Sequence, residues 1–190
     1  MANPWPTNQN MENRLASLPS VVLPIVPEWN GKTYRFAQLK YSSQEKFTNG
    51  EGARQHGGRF TPIGAQRTLY SSLDIPTADA ELEFCKNHNC LPYASFQRWE
   101  IAVSVKEILY LNDSKTLSHL GITFSQICEE WRVLSDENAV APTQTFGKLV
   151  YEAGFEGILY PSVRRDVGCN LALFPDNYRD GSHALMLNSV

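Results

Sequence analysis

Three runs near one end of the chain decide the fold class: Gly157-Ile158-Leu159-Tyr160-Pro161-Ser162, Asn170-Leu171-Ala172-Leu173-Phe174 and His183-Ala184-Leu185-Met186-Leu187. Each is short, rich in aliphatic and aromatic residues, and bounded by Gly, Pro, Asn or Ser, which is the signature of a strand. Three runs upstream carry the same signature: Thr33–Ala37, Thr68–Ser72, and Phe96–Val105 with Ile101, Val103 and Val105 alternating. Helical spacing marks fewer stretches. A helix starts near Thr77, where Thr77 after Pro76 serves as N-cap. Phe124, Ile127, Cys128 and Trp131 fall at helical intervals, and Thr143–Ala153 places Phe146, Leu149 and Val150 on one side with Gly154 as a stop. Strands outnumber helices and the βαβ repeat is missing. The expected class is α+β, with mixed, mainly antiparallel sheets and flanking helices.

Composition narrows the function. The chain has 190 residues, 17 Lys+Arg against 20 Asp+Glu, a net charge of −3, and 42% hydrophobic residues. Such a chain buries a core large enough to fold without disulfides or metal. The acidic balance excludes a membrane-surface protein and a non-specific nucleic-acid binder, which need a basic field. No apolar run reaches the length of a membrane span. The first twenty residues hold one basic residue, Arg14, and lack a signal-peptide pattern, so a cytoplasmic location is expected. Residues 1–28 read as an extended, Pro- and Asn-rich arm, and 29–190 as the functional domain. Residues 48–58, with four glycines in eleven positions, read as a mobile loop.

The cysteines stand at 85, 90, 128 and 169. Cys85-Lys-Asn-His88-Asn-Cys90 has the wrong reach for a zinc finger and no second pair follows closely, so no metal is expected. The four histidines share no ligand spacing. Neither standard nucleotide cradle is present, nor is a Gly-x-Ser-x-Gly elbow around Ser162.

The helix from Thr77 gives the best local argument. With Ala78 at 0° and about 100° per residue, Asp79 and Glu83 fall near 100° and 140°, on the water side. Glu81 falls near 300°, between the apolar Phe84 near 240° and Cys85 near 340°. A carboxylate on a buried arc needs a partner or a task; ion pairing with an arginine and catalysis both satisfy that. Gly57-Gly58-Arg59-Phe60 combines close backbone approach with a guanidinium that forks onto phosphate or carboxylate. Taken alone, the same residues also make a surface turn. Ser162 taken alone is a turn-stabilising hydroxyl, and Arg164 and Arg165 a solvated basic pair.

Ordered along the chain, these pieces form a pattern: Tyr34-Arg35, Gly52-Ala53-Arg54-x-x-Gly57-Gly58-Arg59-Phe60, Leu69-Tyr70-x-Ser72, Thr77-Ala78-x-x-Glu81, Gly157–Ser162 and Asn170–Phe174. The set resembles the RES-domain family, named for an arginine, a glutamate and a serine, over roughly residues 33–175. The resemblance implies an ADP-ribosyltransferase-like fold and a toxin of a bacterial toxin–antitoxin pair that depletes NAD by hydrolysis or phosphorolysis. It implies Arg59, Glu81 and Ser162 as catalytic residues, with Arg35, Tyr70 and Asn170 binding the NAD substrate. It also implies a cognate antitoxin or immunity protein as partner, and Thr143-Gln144-x-x-Gly147 as part of the site lining. Many relatives carry Trp where this chain has Phe60, and the 1–28 arm is long for the family. Two other functions stay open: transfer of ADP-ribose to a protein or nucleic acid, and a non-catalytic nucleotide-binding or interaction module.

Overall fold

Side chains alternate between two cores along strands β6 (Gly157–Pro161) and β7 (Cys169–Leu173). Ile158, Tyr160 and Ala172 enter one core, Leu159, Leu171 and Leu173 the other. Both faces of these strands are therefore covered, and all five β6 residues are buried. The computed structural model describes residues 4–21, 25–26, 28–41, 43–87, 96–136 and 139–190, so His88 and Cys90 lie outside the described residues.

Six further strands complete the sheet: β1 (Ile25–Val26), β2 (Trp29–Gln38), β3 (Leu69–Ser72), β4 (Phe96–Val105), β5 (Ile108–Tyr110) and β8 (His183–Ser189). Their order is β1-β5-β6-β7-β3-β2-β4-β8. Among the described residues only β5 and β6 run parallel; every other pair is antiparallel. This is the mixed, mainly antiparallel α+β architecture that the sequence leads one to expect. β2 and β4 pair over ten residues, from Trp29↔Val105 to Gln38↔Phe96. β2 and β3 pair at one position, Tyr34↔Ser72. The sheet is thus stitched at a single register in its middle.

The helices are α1 (Asn8–Val21), α2 (Gln44–Thr48), α3 (Glu51–His56), α4 (Ile75–Asn87), α5 (Ser114–Leu120), α6 (Phe124–Ile127), α7 (Trp131–Asp136) and α8 (Pro142–Glu152). The first core joins Met11, Leu15 and Leu18 of α1 to Leu117 and Leu120 of α5, Phe146 and Val150 of α8, and Phe60. The second joins Phe47 of α2 to Ile101 and Val103 of β4 and Ala184 of β8.

Four expectations change. Residues 8–21 are not an extended arm: the Thr7 carbonyl accepts from the Met11 amide at 2.9 Å, starting a helix. Met11, Leu15 and Leu18 follow at i, i+4 and i+7 and are each at most 2% exposed. Burying a leucine of this kind is worth about 1.5–3 kcal/mol, which outweighs the weak helix preference of the Asn-rich composition. Residues 48–58 are not one loop either. Gly50 at φ 74° and Gly57 at φ 77° take the left-handed turns at each end, leaving Glu51–His56 free to form α3. α4 begins two residues before Thr77, with Asp74 accepting from the Thr77 amide at 2.9 Å. The spacing over 124–131 belongs to two short helices, α6 and α7, separated at Cys128–Glu130.

Candidate active site

The cleft is lined by Tyr34–Phe36 of β2 and Tyr70–Ser72 of β3, the two strands that meet at the single register. It holds about 550 Å³, and Arg35, Arg59, Tyr70, Glu81 and Asn170 all line it. Five of the six residues singled out from sequence therefore share one cavity, although 135 positions separate the outermost two. The sixth, Ser162, is 6% exposed and stands against Glu81.

Glu81 projects from α4 as its helical wheel requires, with Asp79 and Glu83 exposed on the other side. Its Oε1 accepts from Ser162 Oγ at 2.8 Å and from Asn170 Nδ2 at 2.7 Å. Asn170 in turn accepts from Ser72 Oγ at 2.7 Å, and Ser162 Oγ accepts from the Arg164 amide at 3.1 Å. Three elements thus fix the plane of one carboxyl: α4, the exit of β6, and β7 backed by β3. α4 is itself anchored, because Arg165 Nη1 donates to the Asp74 carboxylate that caps it, at 3.0 Å.

Arg59 follows the Gly57-Gly58 turn, which is closed by the pair Gly58↔Thr61. One guanidinium nitrogen, Nη1, donates to the carbonyls of Ile127 and Glu129, both at 2.8 Å. The turn is held from three sides. Tyr70 Oη accepts from the Phe60 amide at 2.9 Å, Gln66 Nε2 donates to the Phe60 carbonyl at 2.8 Å, and Gln144 Nε2 donates to the Gly58 carbonyl at 3.1 Å. A Cβ on Gly58 would fall 2.6 Å from the Tyr70 ring, and one on Gly147 would fall 2.2 Å from the Phe60 carbonyl. Gln144 and Gly147 therefore seat the Arg59 turn from behind and do not line the cleft, contrary to expectation. Phe60 is fully buried, its ring edge-on to Tyr160 at 4.8 Å.

Burial pushes the Tyr70 phenol up to about 12, against the opposing pull of its bonds to Thr61 and Phe60. Burial likewise pulls the Arg35 guanidinium down to about 10. Its Nη1 donates to the Phe47 carbonyl at 2.9 Å.

Sequence reasoning missed one wall. Trp131, Arg132 and Arg164 also line the cleft. Arg164 is not part of a solvated pair: its guanidinium lies 3.2 Å from the Phe84 ring centroid and donates to Glu130 at 2.6 Å. A protein of net charge −3 thus presents four arginines and one glutamate along a single cleft. Such a lining favours an anionic ligand. A second cavity of about 530 Å³, bordered by the ion pairs Arg67–Asp176, Arg54–Glu51 and Lys148–Glu152, contains none of the site residues.

Cys128 and Cys169 are thiols outside any disulfide. Among the described residues no group of three His, Cys, Asp or Glu side chains has the arrangement to hold a metal ion, and no helix is long and apolar enough to cross a membrane.

A mixed sheet carries a cleft with a buried arginine and a half-buried glutamate to which a serine bonds, and comparison with known proteins gives its class. The RES domain model matches residues 32–187, so the chain belongs to the RES-domain family. The fold is also similar to a solved structure, that of the M. tuberculosis MbcT–MbcA toxin–antitoxin complex. The match has a TM-score of 0.70 and 17% identity, and covers 96% of this chain and 91% of that one. No curated protein sequence matches the chain significantly.

Proposed function

We propose that the protein cleaves the bond between nicotinamide and ribose in NAD. The observation that carries this reading is the convergence of Ser162 and Asn170 on one oxygen of Glu81, inside a cleft whose other charged groups are arginines. Breaking that bond leaves positive charge on the ribose, as in glycoside hydrolysis. A carboxylate already oriented by two donors stabilises that charge without having to reorganise. Arg59 and Arg35 supply fixed positive charge for the phosphate next to the nicotinamide riboside. Tyr70 offers a ring against which nicotinamide stacks, and Ser162 keeps the glutamate aimed. Acceptance of the ribosyl group by water or phosphate completes the turnover.

Transfer to a macromolecule is the weaker reading. Glu83, the nearest second acid on α4, is exposed on the side of the helix away from Glu81, so it does not reach an acceptor in the cleft. The family and the likeness to a chain of a toxin–antitoxin complex support a toxin acting in a bacterial cytoplasm, restrained by a cognate antitoxin.

The purified protein incubated with NAD, with and without phosphate, should release nicotinamide. Mass analysis of the other product should identify ADP-ribose or ADP-ribose 1″-phosphate. NAD left intact under both conditions refutes the reading. Expression of the free protein in bacteria should arrest growth with a fall in total NAD; arrest at constant NAD would retain toxicity and remove this chemistry.

A further inference from the structure

The wall formed by α7 and the exit of β6 has a composition that cleavage of the nicotinamide bond does not use. Trp131, Arg132, Phe84 and Arg164 alternate ring and cation. The Arg132 guanidinium is 4.7 Å from the Trp131 ring and 5.1 Å from Phe84, and the Arg164 guanidinium lies 3.2 Å from Phe84. Glu130 pairs with both arginines, at 3.3 Å and 2.6 Å. One carboxylate against two guanidiniums leaves an excess positive charge. The aromatic faces hold both guanidiniums in fixed planes, so less side-chain entropy remains to be lost on binding. The wall also adjoins the reacting end on two sides. Arg164 is the residue whose amide holds Ser162, and the Glu129 carbonyl that receives Arg59 immediately precedes Glu130.

The arginines nearest the reacting end take main-chain carbonyls as partners instead. Both protons of Arg59 Nη1 go to main-chain carbonyls, and Arg35 Nη1 serves the Phe47 carbonyl. We infer that Trp131, Arg132 and Arg164 form a second subsite that binds the adenylate half of the dinucleotide. The Trp131 ring receives the purine plane, and Arg132 and Arg164 receive the adenylate phosphate, with Glu130 positioning the pair. This rests on the NAD reading above and extends it. Affinity comes from the half of the substrate that does not react, while Glu81 and Ser162 act on the half that does.

Calorimetry with ADP-ribose on the full-length protein tests the subsite without requiring turnover. Trp131→Ala and Arg132→Ala should each weaken ADP-ribose binding by about tenfold, since stacking and charge-assisted bonds of this kind are worth that much. Binding of nicotinamide mononucleotide, which lacks the adenylate half, should change less than threefold. In NAD turnover the loss should fall on KM. Arg132→Gln, which keeps the stem over Phe84, serves if Arg132→Ala lowers the melting temperature. Equal weakening of both ligands, or no weakening of ADP-ribose, overturns the subsite. If the wild type releases no nicotinamide yet binds ADP-ribose through Arg132, the catalytic reading fails and the subsite stands. If nicotinamide is released with an unchanged KM in Arg132→Ala, the reverse holds.

Discussion

Glu81 is held by side chains and Arg59 by main chain, and the two ends of the cleft differ accordingly. At the glutamate end, Ser162, Asn170 and Ser72 form a short relay of hydroxyl and amide groups, each contributed by a separate element. At the arginine end, the partners are the carbonyls of Ile127 and Glu129. The turn itself is shaped by Gly58, the Tyr70 hydroxyl, Gln144 and the bare Cα of Gly147. A group held by side chains fails one residue at a time and leaves the fold intact. A group held by backbone moves only when the backbone moves, so its supports register as stability. The comparison teaches that the two ends respond to different measurements.

The sharpest way to break it is Glu81→Gln. Loss of the charge should lower kcat by about 100-fold, equivalent to about 2.7 kcal/mol, with KM and melting temperature close to wild type. An unstable but fully active variant would make Glu81 a structural group. Next comes Gly147→Ala, which drives a methyl into the Phe60 carbonyl. Overpacking should cost about 1–3 kcal/mol in denaturant unfolding and weaken NAD binding with it. Unchanged stability would mean that α8 does not seat the Arg59 turn.

Ser162→Ala removes one of the two donors on Glu81. Turnover should fall about tenfold, about 1.4 kcal/mol, with the melting temperature within a few degrees. A larger loss of stability than of turnover would erase the distinction between the two ends. The smallest effect is expected for Tyr70→Phe, which leaves the Phe60 amide without its acceptor and should cost about 1 kcal/mol. It also has a pH signature. Burial raises the Tyr70 phenol to about 12, so its stabilising contribution is complete below the ordinary value near 10 and is lost as pH rises through 12. Tyr160 and Tyr178 are shifted upward by burial as well. Alkaline unfolding should therefore be shallower in Tyr70→Phe but still present; an unchanged slope between pH 10 and 12 would contradict the burial argument.

The glutamate end was the more legible in sequence. A helical period places Glu81 among Phe84 and Cys85 while Asp79 and Glu83 face water, and that is local information. The strands were legible for the same reason, since alternation is a property of neighbours. The arginine end was half legible: Gly57-Gly58-Arg59 signals a close turn, but nothing nearby announces that its partners are carbonyls at Ile127 and Glu129. The pairing of Arg164 and Arg132 with Phe84 joins residues tens of positions apart, and no periodicity encodes it. Helix α1 is a different case. Met11, Leu15 and Leu18 carry an i, i+4, i+7 stripe that was available, and the Asn- and Pro-rich composition around it concealed the pattern.

Helix α1 has a consequence for the order in which the protein is made. It leaves the ribosome ahead of every surface it packs on, and α8 follows more than a hundred residues later. At usual elongation rates that gap lasts on the order of ten seconds, during which the core around Met11, Leu15 and Leu18 stays incomplete. The glutamate relay waits longer still, because Asn170 must emerge before it closes. A chain interrupted between Glu81 and that residue carries Arg59 and Glu81 but lacks the Asn170 donor that holds Glu81. The nascent chain therefore completes the glutamate relay only when its synthesis is nearly done.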